Sequence, residues 1–263
     1  MLALICGTGG LPAQIAKAQP EKPLVCVMDG FAPDELDADL NFCLETLGSL
    51  LIQLGQHGVT DVCLCGAIDR PSLDPCKLDE HTAPLIPLIS DALTSGDDGA
   101  LRAVMGLFEQ TGFTVRAAHE LVPDLIAPPG VLSDTWPNAQ MREDAKLGAN
   151  VLAALAPMDV GQACVTGGGQ LLGMETIGGT DFMLSHLPDT PLRAQGVLVK
   201  GPKMGQDTRA DMPTIGPSTI ENAQKAGLAG IVIDAGDVIL LQPEKCIALA
   251  NAAGLVLWSR TGE

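Results

Sequence analysis

Strand-length apolar runs alternate with helix-length segments through the first half of this chain, and that alternation restricts its fold more than any other feature. Residues 2–6 (LALIC), 23–30 (PLVCVMDG) and 61–66 (DVCLCG) are short, apolar and bounded by turn residues. Between them lie 11–18 (LPAQIAKA) and 46–59, whose apolar positions recur at helical spacing. A further helical pattern over 100–112 stops at Gly112 and leads into a short strand at 113–116. Strands that are continuously apolar have to be covered on both faces, so the order strand–helix–strand predicts a parallel sheet with helices packed on it.

The pattern changes at 122–138, where Pro123, Pro128, Pro129 and Pro137 interrupt it. We therefore expect a Rossmann-like α/β domain over 1–128, a Pro-rich linker over 129–140 and a second domain over 141–263. The second half carries a helix at 141–157 and a β-hairpin at 161–178, in which ACVT and QLLGMET flank a glycine turn. A helix at 221–230 follows, then a strand pair over 231–242 turning at Ala235-Gly236, then a closing helix and strand. The fold class is α/β, a Rossmann-like parallel-sheet domain followed by a mixed α+β domain.

Charge narrows the partners. Fifteen Lys and Arg stand against 32 Asp and Glu, a net charge of −17. Phosphate-backbone binding draws on broad positive surface, so nucleic acid is excluded as a partner. Anionic lipid gains no long-range attraction either, so membrane contact has to be local and apolar. No apolar run approaches the roughly 18 residues of a spanning helix, and no leader pattern precedes the first strand, so a cytoplasmic protein is expected. Of the eight cysteines, Cys6, Cys26, Cys63, Cys65 and Cys164 lie in strand-like runs, where Cys acts as a small hydrophobe. Neither the cysteines nor the four histidines show metal-ligand spacing.

Against that acidic background, 198–219 (LVKGPKMGQDTRADMPTIGPST) concentrates Lys200, Lys203 and Arg209 with Asp207 and Asp211 on a loop broken by Gly201, Pro202 and Gly205. Cations neutralise phosphate oxygens, while carboxylates hold a hard metal ion or activate water. In an extended segment Asp207, Arg209 and Asp211 would share one side. Two further candidates are Gly7-Thr8-Gly9-Gly10, where backbone N–H groups could meet an anion at a helix N-terminus or simply make a tight strand-to-helix turn, and Gly179-Thr180-Asp181 after the hairpin, as a helix cap or a metal- or water-holding carboxylate. An acidic residue near the end of the second strand, Asp29, keeps a nicotinamide-dependent oxidoreductase open, although GxGxxG is missing.

Gly7–Pro12, Asp159-Val-Gly-Gln162, Gly179-Thr-Asp181, Val199-Lys200, Gln206-Asp-x-Arg-x-Asp211, Pro213-Thr-Ile-Gly216 and Ala226-Gly-Leu-x-Gly230 occur in that order across nearly the whole chain. This pattern resembles the LpxI-type UDP-2,3-diacylglucosamine pyrophosphatases. The resemblance implies two domains and hydrolysis of UDP-2,3-diacylglucosamine to UMP and 2,3-diacylglucosamine 1-phosphate in lipid A biosynthesis of Gram-negative bacteria. Water would attack the α-phosphorus with Mg²⁺ present. Asp207, Asp211 and Asp181 would be catalytic, the first two as metal ligands. Gly7, Gly9, Gly10, Thr180, Lys200, Lys203, Gln206, Arg209 and Thr214 would bind the nucleotide-sugar glycolipid. Transient contact with the cytoplasmic face of the inner membrane and a homodimer complete the expectation. The pattern departs at Gly178, where similar members carry Glu: either activity is weakened, Glu175 substitutes, or the chain is a non-catalytic binder of a UDP-sugar lipid.

Overall fold

The computed structural model describes residues 1–68, 72–94, 97–203, 205 and 207–261. They form two compact units, one of Met1–Pro123 with Asp207–Asp211, the other of Asp124–Gln206 with Met212–Glu263.

In the first unit β1 (Leu2–Cys6), α1 (Leu11–Ala18), β2 (Leu24–Met28), β3 (Leu40–Phe42), α2 (Leu47–Gln56) and β4 (Asp61–Cys65) alternate as the apolar pattern requires. They are followed by α3 (Ile86–Thr94), α4 (Asp97–Gln110), β5 (Thr114–Val115) and α5 (Ala118–Leu121). The sheet runs β3-β2-β1-β4-β5, every neighbouring pair parallel. That strand order is the one doubly wound α/β sheets use. All five residues of β2 are buried, as a strand covered on both faces must be. Ala3, Ile5, Cys26 and Val62 meet Leu50 and Leu54 of α2 and Met105 and Phe108 of α4 in one core. The distant segment Asp207–Asp211 joins this unit, with Ala210 packed against the same core.

The second unit starts with β6 (Gly130–Val131), α6 (Ala139–Leu155), β7 (Ala163–Gly167) and β8 (Gln170–Met174). It continues with α7 (Gly179–Ser185), β9 (Val197–Lys200), β10 (Thr214–Ile215) and α8 (Pro217–Lys225), then β11 (Gly230–Asp234), β12 (Ile239–Leu240), α9 (Pro243–Ala253) and β13 (Val256–Arg260). A six-stranded mixed sheet has the order β6-β13-β11-β9-β7-β8. β13, β11 and β9 are mutually parallel, while β6, β7 and β8 pair antiparallel. The period-two alternation of strands divides its side chains between two helical layers. Leu198, Ile231, Ile233 and Leu257 face Ile220 and Ala223 of α8 and Cys246 and Ala250 of α9. Val199, Val232 and Val256 face Met141, Ala145 and Leu152 of α6.

One local expectation changes. The 231–242 segment gives two strands, but they do not pair with one another: β12 pairs with β10 in a separate two-stranded sheet. The Pro-rich segment 129–140 is built into the second unit. β6 adds to the edge beside β13, Leu132 donates its N–H to the Leu257 carbonyl at 2.8 Å, and the Asn138 carboxamide oxygen caps α6 by accepting from the Met141 N–H. Leu125 is buried and Leu132 packs on the second unit's core, so these residues serve packing. Among the described residues no helix is long and apolar enough to cross a membrane.

Candidate functional site

The hairpin β7–β8 delivers Glu175 to a buried position directly after its second strand. Gly179, at φ 77°, then turns the chain into α7 and sets Thr180 in its first turn. Lys200 ends β9, in register with Ala163 of β7 and Ile233 of β11. Glu175 and Lys200 are each only 8 % exposed, so both charges need partners. A single hydroxyl links them. Lys200 Nζ donates to Thr180 Oγ1 at 3.1 Å, and Thr180 Oγ1 donates to Glu175 Oε1 at 2.5 Å. The other carboxylate oxygen accepts the Gln162 N–H at 2.8 Å, and the Gln162 carbonyl accepts the N–H of Gly201. Gly161 permits this closeness, since a Cβ there would lie 2.4 Å from the Glu175 carbonyl oxygen.

Other charged residues of the second unit are also held. Lys203 bonds Asp159, whose backbone is left-handed at φ 52°. Asp181 accepts from Asn222 Nδ2 at 3.0 Å, so it ties α7 to α8 and caps nothing. Beside it a cavity of about 370 Å³ is lined by Asp181, Leu184, Arg193, Asn222 and Lys225. Its walls come from segments far apart in the chain, which is why spacing alone did not indicate it. Thr214 opens β10 and donates to the Met212 carbonyl.

In the first unit Asp207 and Arg209 form a close pair. Arg209 Nε and Nη2 reach the two Asp207 carboxylate oxygens at 3.0 and 2.7 Å, and the Arg209 backbone N–H adds a third bond at 3.1 Å. Arg209 Nη1 bonds Glu109 of α4. Hydrogen bonding from Arg209 outweighs burial and holds the Asp207 carboxyl below its ordinary range; the same bond raises the Arg209 guanidinium. Residues 208–210 form a turn, with the Asp211 N–H on the Asp207 carbonyl at 3.2 Å. The extended segment expected here is thus replaced by an Asx turn, in which Asp207 bonds the backbone two residues on.

That geometry bears on magnesium. Among the described residues no three His, Cys, Asp or Glu side chains are grouped to hold a metal ion. Mg²⁺ commonly uses one or two carboxylates with phosphate oxygens and water, so Asp207 and Asp211 are the residues that would hold an ion brought by a diphosphate, not an all-protein cage. Arg209 already bonds both Asp207 carboxylate oxygens.

In the glycine loop, packing accounts for Gly7 alone; a Cβ at Gly9 or Gly10 would meet nothing within 4 Å. A Cβ at Gly7 would lie 2.3 Å from the Ala67 carbonyl oxygen. Gly7 and Thr8 give their N–H groups to Cys65 and Ala67, which closes the ends of β1 and β4 together. Gly9, at φ 95°, and Gly10, the N-cap of α1, complete the loop. Gln206 lies outside the described residues. Burial pushes the Cys26, Cys164 and Cys246 thiols up to about 12, which rules these three out as thiolate nucleophiles at neutral pH.

Fold and clusters together define a two-unit α/β protein, with Asp207, Arg209 and Glu109 linked in the first unit and Lys200, Thr180 and Glu175 in the second. Residues 1–125 match the LpxI N-terminal domain and residues 128–258 the LpxI C-terminal domain. UDP-2,3-diacylglucosamine pyrophosphatase LpxI of Caulobacter vibrioides is 35% identical over 268 residues, spanning 97% of this chain and 95% of that protein. The chain belongs to the LpxI family. The oxidoreductase reading of Asp29 ends there.

Proposed function

We propose that this chain hydrolyses the diphosphate of UDP-2,3-diacylglucosamine, giving UMP and 2,3-diacylglucosamine 1-phosphate for lipid A biosynthesis in a Gram-negative cytoplasm. The observation that carries this reading is the likeness to the Caulobacter vibrioides pyrophosphatase along 97% of the chain. The two networks support it, because each supplies cations and carboxylates of the kind diphosphate cleavage uses.

In this reading Arg209 of the first unit serves the phosphate and Asp207 and Asp211 orient water; in the second unit Lys200 and Lys203 serve phosphate oxygens, Asp181 supplies a carboxylate, and Gln206 and Thr214 serve the nucleotide-sugar. Water's oxygen bonds to phosphorus, the bridging P–O bond breaks, its electron pair leaves on the departing phosphate, and water's proton passes to carboxylate or solvent. Magnesium, taken by Asp207 and Asp211 with phosphate oxygens, would add charge neutralisation. Ile177, fully exposed, and Phe182, 53% exposed, lie just before and within α7. They offer the local apolar contact an acidic chain needs at acyl chains or a lipid surface.

UMP release by the purified protein, measured with Mg²⁺ and with EDTA, tests activity and metal together. The account expects release that EDTA abolishes; release unaffected by EDTA removes the metal, and no release removes the hydrolase. Running the reaction in ¹⁸O-water tests the expected attack site. Label in UMP means attack at the α-phosphorus, and label in the lipid phosphate corrects it to the β.

A further inference from the structure

We propose that Glu175 and Thr180 are positioning residues that act through Lys200, an inference that rests on the hydrolase reading above. The direction of the relay is fixed by chemistry. An ammonium can only donate, a carboxylate can only accept, and a hydroxyl can donate once while it accepts. Thr180 Oγ1 therefore accepts from Lys200 and passes its own proton toward Glu175.

Both ends of the relay are buried at 8 % exposure, where side chains held by several partners lose their freedom to wander. Glu175 is itself anchored twice, by the Gln162 N–H and by the Thr180 hydroxyl. Gln162 in turn holds Gly201, the residue after Lys200. The end of β9, the start of β7 and the first turn of α7 thus converge on one carboxylate. This answers the substitution at Gly178 differently from a stand-in metal ligand. Glu175 points into the protein and keeps a cation in place, so its contribution to phosphate chemistry is made by the Lys200 ammonium.

The test uses Thr180→Val, which keeps the shape and removes the hydroxyl, Thr180→Ser, which keeps the hydroxyl, and Lys200→Met. Thr180→Val is expected to lower kcat about 10- to 100-fold, the range typical of removing an outer-layer partner, with KM changed far less; Thr180→Ser restores most of the loss. In the Lys200→Met background Thr180→Val costs nothing further, because the residue it served is gone. A second readout needs no turnover: nitrogen NMR of the lysine ammonium groups, with Lys200 assigned through Lys200→Met. A held, shielded ammonium gives a resolved signal whose position and width Thr180→Val changes and Thr180→Ser retains. Additive losses in the double variant, or a Lys200 signal unchanged by Thr180→Val, overturn the inference. A wild-type protein that releases no UMP fails the hydrolase reading and with it the catalytic part of this inference, while the NMR arm still decides whether Thr180 holds Lys200.

Discussion

A side chain at position 178 would begin 2.8 Å from Phe182 Cγ and 3.0 Å from its Cβ, so a Glu there requires Phe182 to shift. Phe182 stacks on His186 with ring centroids 4.1 Å apart. Gly178→Glu alone is therefore expected to lower stability by about 1–3 kcal/mol through overpacking. Adding Phe182→Ala should return most of that loss. Thermal unfolding of the single and double variants checks both, and equal destabilisation in the two would contradict the steric account. A second residue-scale consequence concerns acid. Arg209 keeps the Asp207 carboxyl low, and the Asp74 N–H at 2.7 Å does the same for buried Glu45. A carboxyl depressed on folding contributes stability that is complete above its unfolded value, about 4, and is lost as pH falls through the folded value. Denaturant titrations should show stability falling below about pH 4, with a shallower fall in Asp207→Asn. A slope identical to wild type would remove Asp207 from the acid response.

Helix α6 lies so close to the second sheet that a Cβ on Gly148 would meet Val199 Cγ2 at 2.6 Å and Cys164 Sγ at 3.3 Å. Gly148→Ala is expected to cost about 1–3 kcal/mol, read as a lower denaturation midpoint, whereas an unchanged midpoint would mean the helix slides freely. At this scale the sequence was informative wherever period and burial agreed. The βα alternation of residues 2–66 and the hairpin at 163–174 emerge where local pattern placed them. Pairing was less legible. Ile239 and Leu240 read as a strand beside 231–234, yet they pair with Thr214 and Ile215, because register is chosen by non-local burial that no short window contains. The 207–211 turn was missed for the opposite reason. Asp207 captures the Arg209 N–H, a local side-chain bond that competes with extended backbone. Asp followed by turn-compatible residues was the available signal.

Over the whole molecule, the stretch that looked most chemical in sequence divides between the units: Lys200 and Lys203 belong to the second, Asp207, Arg209 and Asp211 to the first. Composition cannot reveal this, since it depends on Ala210 packing and on Arg209 reaching Glu109, a hundred residues away. The cations and carboxylates themselves were legible, because a cationic cluster stands out in a chain of net charge −17. From sequence Glu175 reads only as a substitute for a missing acid; its link to Lys200 through Thr180 depends on the fold. Whether these residues serve diphosphate hydrolysis is decided by UMP release from UDP-2,3-diacylglucosamine by wild type, Asp207→Asn and Asp211→Asn. Release by wild type is expected, with a fall of about 100-fold or more in each variant and the fold retained. Substrate binding without release by wild type, or near-wild-type turnover in both variants, would contradict that role.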